Sequence, residues 1–223
     1  MVLLAVAIAG NPTQAAASAA AHVQGPAPTI VAFGDSLTAG LGVPTDRAYP
    51  AQLAQRLEKE GFPHRVVNAG VSGDTTAGGL RRVGWVLQNH PQIVILSLGA
   101  NDGLRGLKID DTRRNLEGII EQLQAAKVQV ILAGMKLPPN YGAEYIASFE
   151  AMFPALADKY HVPLIPFLLA GVAADPSFNQ ADGIHPTEDG YRIVTETVYR
   201  TLAPLVAKAG SPTAPTTSKP TKK

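Results

Sequence analysis

The sequence contains no cysteine among its 223 residues, and this absence removes several kinds of chemistry. Disulfide bonds, thiolate metal sites and a cysteine nucleophile are all excluded, while reducing and oxidising compartments both remain open. An excess of charge of one sign is also lacking, since 19 basic and 18 acidic side chains give a formal net charge of +1. The body of the chain holds no block of basic residues, so we predict no nucleic-acid partner.

Long hydrophobic runs are missing too, because a membrane span needs about 20 consecutive apolar residues and none is that long, so we expect no stable span. A shorter apolar run from Val2 to Ala9 precedes an Ala-rich stretch with small residues between Ala15 and Ala21. This pattern favours a secretory leader over residues 1–25, and hence a periplasmic or secreted protein; a disordered arm is the alternative. No Lys or Arg precedes the run, so either the natural start lies upstream or the terminal amine supplies the charge.

The remaining length is that of one domain. Residues 209–223 consist mainly of Pro, Ser, Thr and Lys, which predicts a disordered tail. Residues 26–208 are left as a single domain, which we expect to be a monomer.

Cofactor motifs are also lacking. Neither the G-x-x-x-x-G-K loop for nucleotide phosphates nor the G-x-G-x-x-G turn for dinucleotides occurs, so no nucleotide-binding motif is present in the sequence. No His-x-x-x-His or paired carboxylate spacing suggests a metal site. We therefore expect neither a cofactor nor a metal.

What the sequence does contain is an alternation of apolar runs of strand length with amphipathic segments of helix length. The runs are nearly continuous, which is typical of strands covered on both faces. Residues 48–61 and 110–127 carry apolar side chains at helical spacing, and a last helix is predicted to begin near Thr187. The pattern predicts an α/β three-layer sandwich, a five-stranded parallel sheet with helices on both faces. The five predicted strands are 29–34, 65–70, 92–99, 128–135 and 162–167.

Short polar motifs follow four of these strands. In a parallel α/β sheet, ligands bind outside the carboxyl ends of the strands, where the connecting loops gather. The motifs are therefore predicted to meet at one edge. They are "GDS" (34–36), "AGVSGDT" (69–75), "GAND" (99–102) and "DGIHP" (182–186).

Ser36 in the first motif is a candidate nucleophile. A hydroxyl needs a base to take its proton, and histidine, with an unperturbed pKa of about 6.5, suits neutral pH. Of five histidines, only His185 is predicted on a loop at the carboxyl edge. Asp182, three residues earlier, can accept a hydrogen bond from one ring nitrogen and fix the tautomer. The alternative is a plain turn before a helix capped by Thr187, with His185 on the surface.

Acyl transfer also needs donors aimed at the oxygen that becomes negative. The layout offers three: the backbone N–H groups of Ser36 and Gly73, and the side-chain amide of Asn101. Each has an ordinary alternative, because "GDS" and "AND" are common turn sequences. The joint placement of all the pieces at one edge is what favours a catalytic site.

Four motifs together, "FGDSLTAG", "NAGVSGDTTAGGLRR", "LSLGANDGLRG" and "DGIHPTEDGYRIV", resemble the GDSL or SGNH hydrolase family, especially its bacterial secreted thioesterase, arylesterase and lysophospholipase branch. The resemblance covers about Thr29 to Leu205 and implies a flavodoxin-like fold and a serine hydrolase that works through an acyl-enzyme. One departure is Ala100, where this branch usually has glycine. The implied site comprises the nucleophile Ser36, the base His185 held by Asp182, and the oxyanion donors Ser36, Gly73 and Asn101.

Substrate preference is indicated by the loop after Asn101, which places Leu104 and Leu107 beside the expected site. If they face it, they form an apolar wall for an acyl chain; the alternative is that both pack inward. The resemblance adds that this loop and residues 136–149 flank the substrate. We predict a preference for medium or longer acyl esters and thioesters over acetyl esters.

Two rival functions stay open: a carbohydrate acetyl esterase on the same fold, and a binding module for lipid or glycan without catalysis. Arg81 and Arg82 raise a separate question, since they could form an anion site for a phosphate or coenzyme A. We predict instead that both lie on the solvated face of the helix after Gly73.

Overall fold

A sheet of five parallel strands forms the centre of the computed structural model, which describes residues 27–210. The strands are β1 (Thr29–Gly34), β2 (Arg65–Gly70), β3 (Ile93–Ser97), β4 (Gln129–Ala133) and β5 (Leu164–Ile165). Their order across the sheet is β2-β1-β3-β4-β5. This is the flavodoxin-like order, in which ligands bind where the strand order reverses, between β1 and β3.

Seven helices connect and cover the strands within the described residues. They are α1 (Ser36–Ala39), α2 (Tyr49–Lys59), α3 (Thr76–Leu87), α4 (Ala100–Leu104), α5 (Ile109–Ala125), α6 (Ala143–Tyr160) and α7 (Glu188–Gly210). Helix α3 packs beside α5, and α5 beside α6, while α2 packs against α7. Right-handed crossovers place these two groups on opposite faces of the sheet. The predicted fold class, an α/β sandwich of three layers, is confirmed.

The core lies between these layers, and the strands β1 and β3 are buried along their whole length. This burial agrees with their continuous apolar sequences, because a strand with helices on both faces has no solvent-facing side. Across residues 27–210, no helix combines the length and the apolar character needed to cross a membrane. The predicted leader or arm at 1–25 lies outside the described residues, as does all of the predicted tail except 209 and 210.

Strands β3, β4 and β5 are shorter than predicted, and β4 spans Gln129–Ala133 rather than residues 128–135. Strand β5 has two residues rather than six, because Pro163 and Pro166 on either side carry no backbone N–H for a ladder. Strand β3 ends at Ser97 rather than Gly99, since Gly99 has a φ of +114° and is the N-cap of α4.

Candidate active site

Ser36 is the first residue of α1, where the buried strand β1 turns into a helix. Asp35 caps this helix, because its Oδ1 accepts a hydrogen bond from the backbone N–H of Leu37 at 3.0 Å. Glycine is needed at position 34, since a Cβ there would lie 2.7 Å from the carbonyl oxygen of Ser97. The sharp turn thus places Ser36 at the carboxyl edge of the sheet.

Ser36, His185 and Asp182 form a chain of hydrogen bonds. Oγ of Ser36 lies 2.8 Å from Nε2 of His185, and Nδ1 of His185 lies 2.6 Å from Oδ2 of Asp182. An ionised carboxylate can only accept, so Nδ1 carries the proton and Nε2 accepts from the Ser36 hydroxyl. The structure therefore brings Ser36 to a pair of side chains almost 150 residues later in the sequence, in the arrangement that a nucleophile and its base require.

Asp182 is held by the turn that carries His185. Its Oδ1 accepts hydrogen bonds from the backbone N–H groups of Ile184 at 2.9 Å and His185 at 3.0 Å, and Gly183 has a φ of +70°. Desolvation alone would raise the pKa of Asp182, but these bonds and the His185 ring lower it to about 2. The carboxylate is consequently ionised at neutral pH and remains an acceptor for the imidazole.

Gly73 lies on the loop after β2 and Asn101 is the second residue of α4, and a hydrogen bond links that loop to the helix. Nδ2 of Asn101 donates to the backbone carbonyl of Asp74 at 2.9 Å. Gly73 has a left-handed φ of +79°, and a Cβ there would meet only the Arg105 guanidinium, at 3.7 Å. The backbone conformation, rather than crowding, is therefore what favours glycine at this position.

Ala100 fits into this arrangement without displacing Asn101. It is the first residue of α4, and its side chain is buried in the core. The left-handed φ falls on Gly99, so position 100 does not need glycine. The departure from the usual family motif is therefore tolerated.

Arg82 ties the loop that contains Gly73 to the end of β1. Its Nη2 donates to the carbonyl of Gly34 and its Nη1 to that of Ala69, both at 2.8 Å, while Nε pairs with Oδ2 of Asp74 at 2.7 Å. The guanidinium also stacks over the ring of Phe33, with its carbon 4.4 Å from the ring centroid. One side chain thus holds the strand before Ser36 and the loop that contains Gly73.

The prediction that both arginines face solvent is wrong for Arg82, although Arg81 is exposed. The side chain of Arg82 is only 18% exposed and bonds to protein groups. Helical spacing could have revealed this, because position 82 lies on the face formed by the buried residues Gly79, Val83 and Val86. Paired charges are compatible with such a face when their hydrogen bonds are satisfied.

The model of the GDSL-like lipase/acylhydrolase family matches residues 32–193, which include Ser36, Gly73, Asn101 and His185. The chain belongs to this family. The GDSL motif of the family is the segment from Gly34 to Leu37, in which Ser36 meets His185.

Two curated relatives and one solved structure show the same kinship. Esterase TesA of Pseudomonas aeruginosa is 42% identical over 184 residues, which is 82% of this chain and 92% of TesA. Thioesterase 1/protease 1/lysophospholipase L1 of Escherichia coli K12 is 39% identical over 181 residues, covering 81% of this chain and 86% of that protein. The crystal structure of esterase EstA from Pseudoalteromonas, inhibited by monoethylphosphonate, has a TM-score of 0.76 and 29% identity, covering 80% and 98% of the two chains. This GDSL hydrolase is accordingly a carboxylic ester hydrolase.

Asp35 of the GDSL motif is a buried carboxyl group, and its burial was not predicted from the sequence. It is 1% exposed, and desolvation by burial raises its pKa to about 6, although the Leu37 N–H and the nearby His185 lower it. An unfolded aspartic acid ionises near pH 4. The folded protein therefore binds more protons at this site than the unfolded chain between about pH 4 and 6.

Stability should fall as the pH rises through this range, and Asp35→Asn should remove that part of the dependence. The amide oxygen of asparagine can still cap Leu37, but it carries no charge to desolvate. We expect the variant to gain up to about 3 kcal/mol over wild type between pH 4 and 7. Urea unfolding across that range measures the difference. Asp46→Asn, at an exposed carboxylate, is the control, and identical pH profiles for the two variants would contradict the prediction.

Leu104 and Leu107 lie outside the hydrophobic core, so the alternative of inward packing does not hold. Leu104 is half-buried and Leu107 is 40% exposed. Their backbone carbonyls accept hydrogen bonds from the hydroxyls of Tyr141 and Tyr145, at 2.8 and 2.7 Å. Those tyrosines line a groove of about 420 Å³ together with Ile109, so the two leucines adjoin an open groove.

Proposed function

We propose that this GDSL hydrolase is a serine esterase that cleaves acyl esters and thioesters through an acyl-enzyme on Ser36. The observation that carries the proposal is the hydrogen-bonded chain from Ser36 through His185 to Asp182. Nucleophile, base and orienting carboxylate in this order are the parts that acyl transfer through a serine requires.

In the first step, Oγ of Ser36 attacks the acyl carbon while its proton passes to Nε2 of His185. The carbonyl electron pair moves to the oxygen and forms a tetrahedral intermediate. When this intermediate collapses, the bond to the leaving oxygen or sulfur breaks, and that atom takes the proton from Nε2. Water then repeats the sequence on the acyl-enzyme, releasing the acid and returning the proton to Ser36.

The oxyanion of the intermediate would be held by the backbone N–H groups of Ser36 and Gly73 and by the Asn101 amide. An amide nitrogen carries two N–H groups, and the Asp74 carbonyl engages one of those of Asn101. The other is left for the oxyanion, in an orientation fixed by the first. Asp182, ionised at neutral pH, would keep the tautomer and stabilise the imidazolium that forms.

The proposed substrates are esters and thioesters with a medium or longer acyl chain. Leu104 and Leu107 would form the wall that contacts the chain, and the groove beside Tyr141 and Tyr145 offers it room. The names of the relatives, which include esterase, thioesterase and lysophospholipase, support this class of substrate.

We expect kcat/KM on p-nitrophenyl esters to rise at least about tenfold from acetate to octanoate, because each buried methylene contributes about 0.8 kcal/mol. The measurement compares acetate, butanoate and octanoate, with Ser36→Ala as the blank. Leu107→Ser should flatten the rise, whereas Trp85→Ser, at an exposed residue of α3, should leave it unchanged. A profile that peaks at acetate would favour the carbohydrate acetyl esterase, and no turnover of any ester would favour the binding module.

Export and oligomeric state are proposed from the sequence. The apolar run and small residues within 1–25 support a cleaved leader and a periplasmic or secreted enzyme. A monomer is proposed as the oligomeric state, since a site whose parts all belong to one chain does not require a second copy.

A further inference from the structure

Exposed apolar side chains gather around the candidate active site. Among residues 27–210, five large hydrophobic residues are exposed, and four of them lie on loops at the carboxyl edge of the sheet. The fifth, Trp85, is near the end of α3, which runs back toward the opposite edge. The four at the site are Leu41, Val71, Leu107 and Ile184. Exposed apolar residues concentrated at one place favour a binding surface over chance.

The proposed mechanism indicates which part of the ester each side of this surface would contact. In the tetrahedral intermediate, the oxyanion must point to Gly73 and Asn101, while the leaving oxygen must point to Nε2 of His185, which protonates it. The alcohol part of the ester therefore lies on the His185 side. Leu107 follows Asn101 and Val71 precedes Gly73, so both belong to the oxyanion side.

Leu41 and Ile184 are the exposed apolar residues on the His185 side. Ile184 directly precedes His185 and is 38% exposed, while Leu41 is 46% exposed. The backbone N–H of Leu41 donates to the carbonyl of Ser36 at 3.1 Å, which fixes Leu41 at the end of the short helix that Ser36 begins. Leu41 is thus connected through a short helix to the proposed nucleophile Ser36, and Ile184 is the residue before the proposed base His185.

Gln180 joins the two loops. Its Nε2 donates to the carbonyls of Leu41 at 2.8 Å and Pro186 at 2.9 Å, and its backbone N–H donates to the carbonyl of His185 at 2.8 Å. Glycine at position 42 makes room for this contact, since a Cβ there would clash with the side-chain amide of Gln180. Leu41 and Ile184 are therefore held on loops that are tied together, and we call this pair the alcohol-side lip.

We propose that the alcohol-side lip binds the apolar alcohol portion of the ester and selects for it. This inference rests on the proposed function, because it places the leaving group by the role given to His185. It assigns the two ends of the substrate to different residues: the acyl chain to Leu104 and Leu107, and the alcohol to Leu41 and Ile184.

The test compares ethyl butanoate with hexyl butanoate, which share an acyl group and have leaving groups of nearly equal basicity. Contact with the lip should make kcat/KM for the hexyl ester about tenfold higher in the wild type. Leu41→Ser and Ile184→Ser should each lower that ratio about threefold. Both variants should leave the ratio of p-nitrophenyl octanoate to butanoate unchanged.

Two further variants locate the effect. Leu107→Ser should lower the octanoate-to-butanoate ratio and leave the hexyl-to-ethyl ratio intact, and Trp85→Ser should change neither. A hexyl-to-ethyl ratio that is the same in wild type and both lip variants would overturn the inference. Equal loss of that ratio in Leu107→Ser would overturn it as well. Failure of the proposed function is a different result, the absence of any hydrolysis that depends on Ser36.

Discussion

Replacing Ser36 with alanine is expected to lower kcat/KM for p-nitrophenyl butanoate more than about ten-thousandfold. Without Oγ, no acyl-enzyme can form, and only the oxyanion donors and substrate binding can still accelerate attack by water. His185 loses its hydrogen-bond partner at 2.8 Å, but the short helix α1 keeps its cap at Asp35. The melting temperature should therefore change little.

Ser72→Ala is the matched control, because it removes a hydroxyl from an exposed residue at the same edge of the sheet. Its activity should stay within a few-fold of wild type. A Ser36→Ala enzyme that retained more than a hundredth of the activity would rule out Ser36 as the nucleophile.

A covalent probe tests the assignment of Ser36 as the nucleophile without relying on turnover. Ethyl p-nitrophenyl methylphosphonate should react once per chain, as Oγ of Ser36 bonds to phosphorus and p-nitrophenolate leaves. Mass spectrometry should place the adduct on the peptide that contains Ser36. Ser36→Ala should remain unlabelled, and a label on any other residue would contradict the assignment.

Replacing Asn101 with alanine is expected to lower kcat about a hundred- to a thousandfold, with little change in KM. The lost N–H would act on a charge that exists only in the transition state, so ground-state binding should be preserved. The substitution also removes the bond to the Asp74 carbonyl, which water can replace at this partly exposed position.

Asn115→Ala is the control for loss of an amide from a buried network. Its Nδ2 donates to Oγ1 of Thr76 at 3.1 Å, and it is not part of the proposed oxyanion site. Steady-state kinetics and thermal melts of both variants separate catalysis from folding. If Asn101→Ala kept its full kcat while the Ser36→Ala enzyme was inactive, the oxyanion assignment alone would fail.

Much of this architecture can be predicted from sequence because its central strands, β1 and β3, are buried on both faces and read as continuous apolar runs. Strands β1 and β2 begin and end at the predicted residues, since glycines close both apolar runs. The meeting of the polar loops followed from the parallel sheet, because all carboxyl ends face one edge. The shortness of β5 was foreseeable from its two prolines.

Burial at loops and helix termini was harder to predict. Asp35 follows a glycine at a tight turn and Arg82 follows a second arginine, and both contexts usually indicate exposure to solvent. Whether a charged residue at a turn is buried depends on which distant segments pack over it. The hydrophobic periodicity of a single turn does not indicate which segments those are. Arg82 is the partial exception, because the helix face it shares with Val83 and Val86 did carry the signal.

Arg82 also bears on how this site could be moved to another scaffold. Gly34 and Ala69 lie at the ends of the adjacent strands β1 and β2. The Arg82 guanidinium donates hydrogen bonds to both of their carbonyls and to the carboxylate of Asp74. The serine turn and the glycine loop are therefore not independent modules, since their spacing is set by a side chain from a third element. A graft of the two loops alone would lack that brace, so the transferable unit is the pair of loops with the helix that carries Arg82.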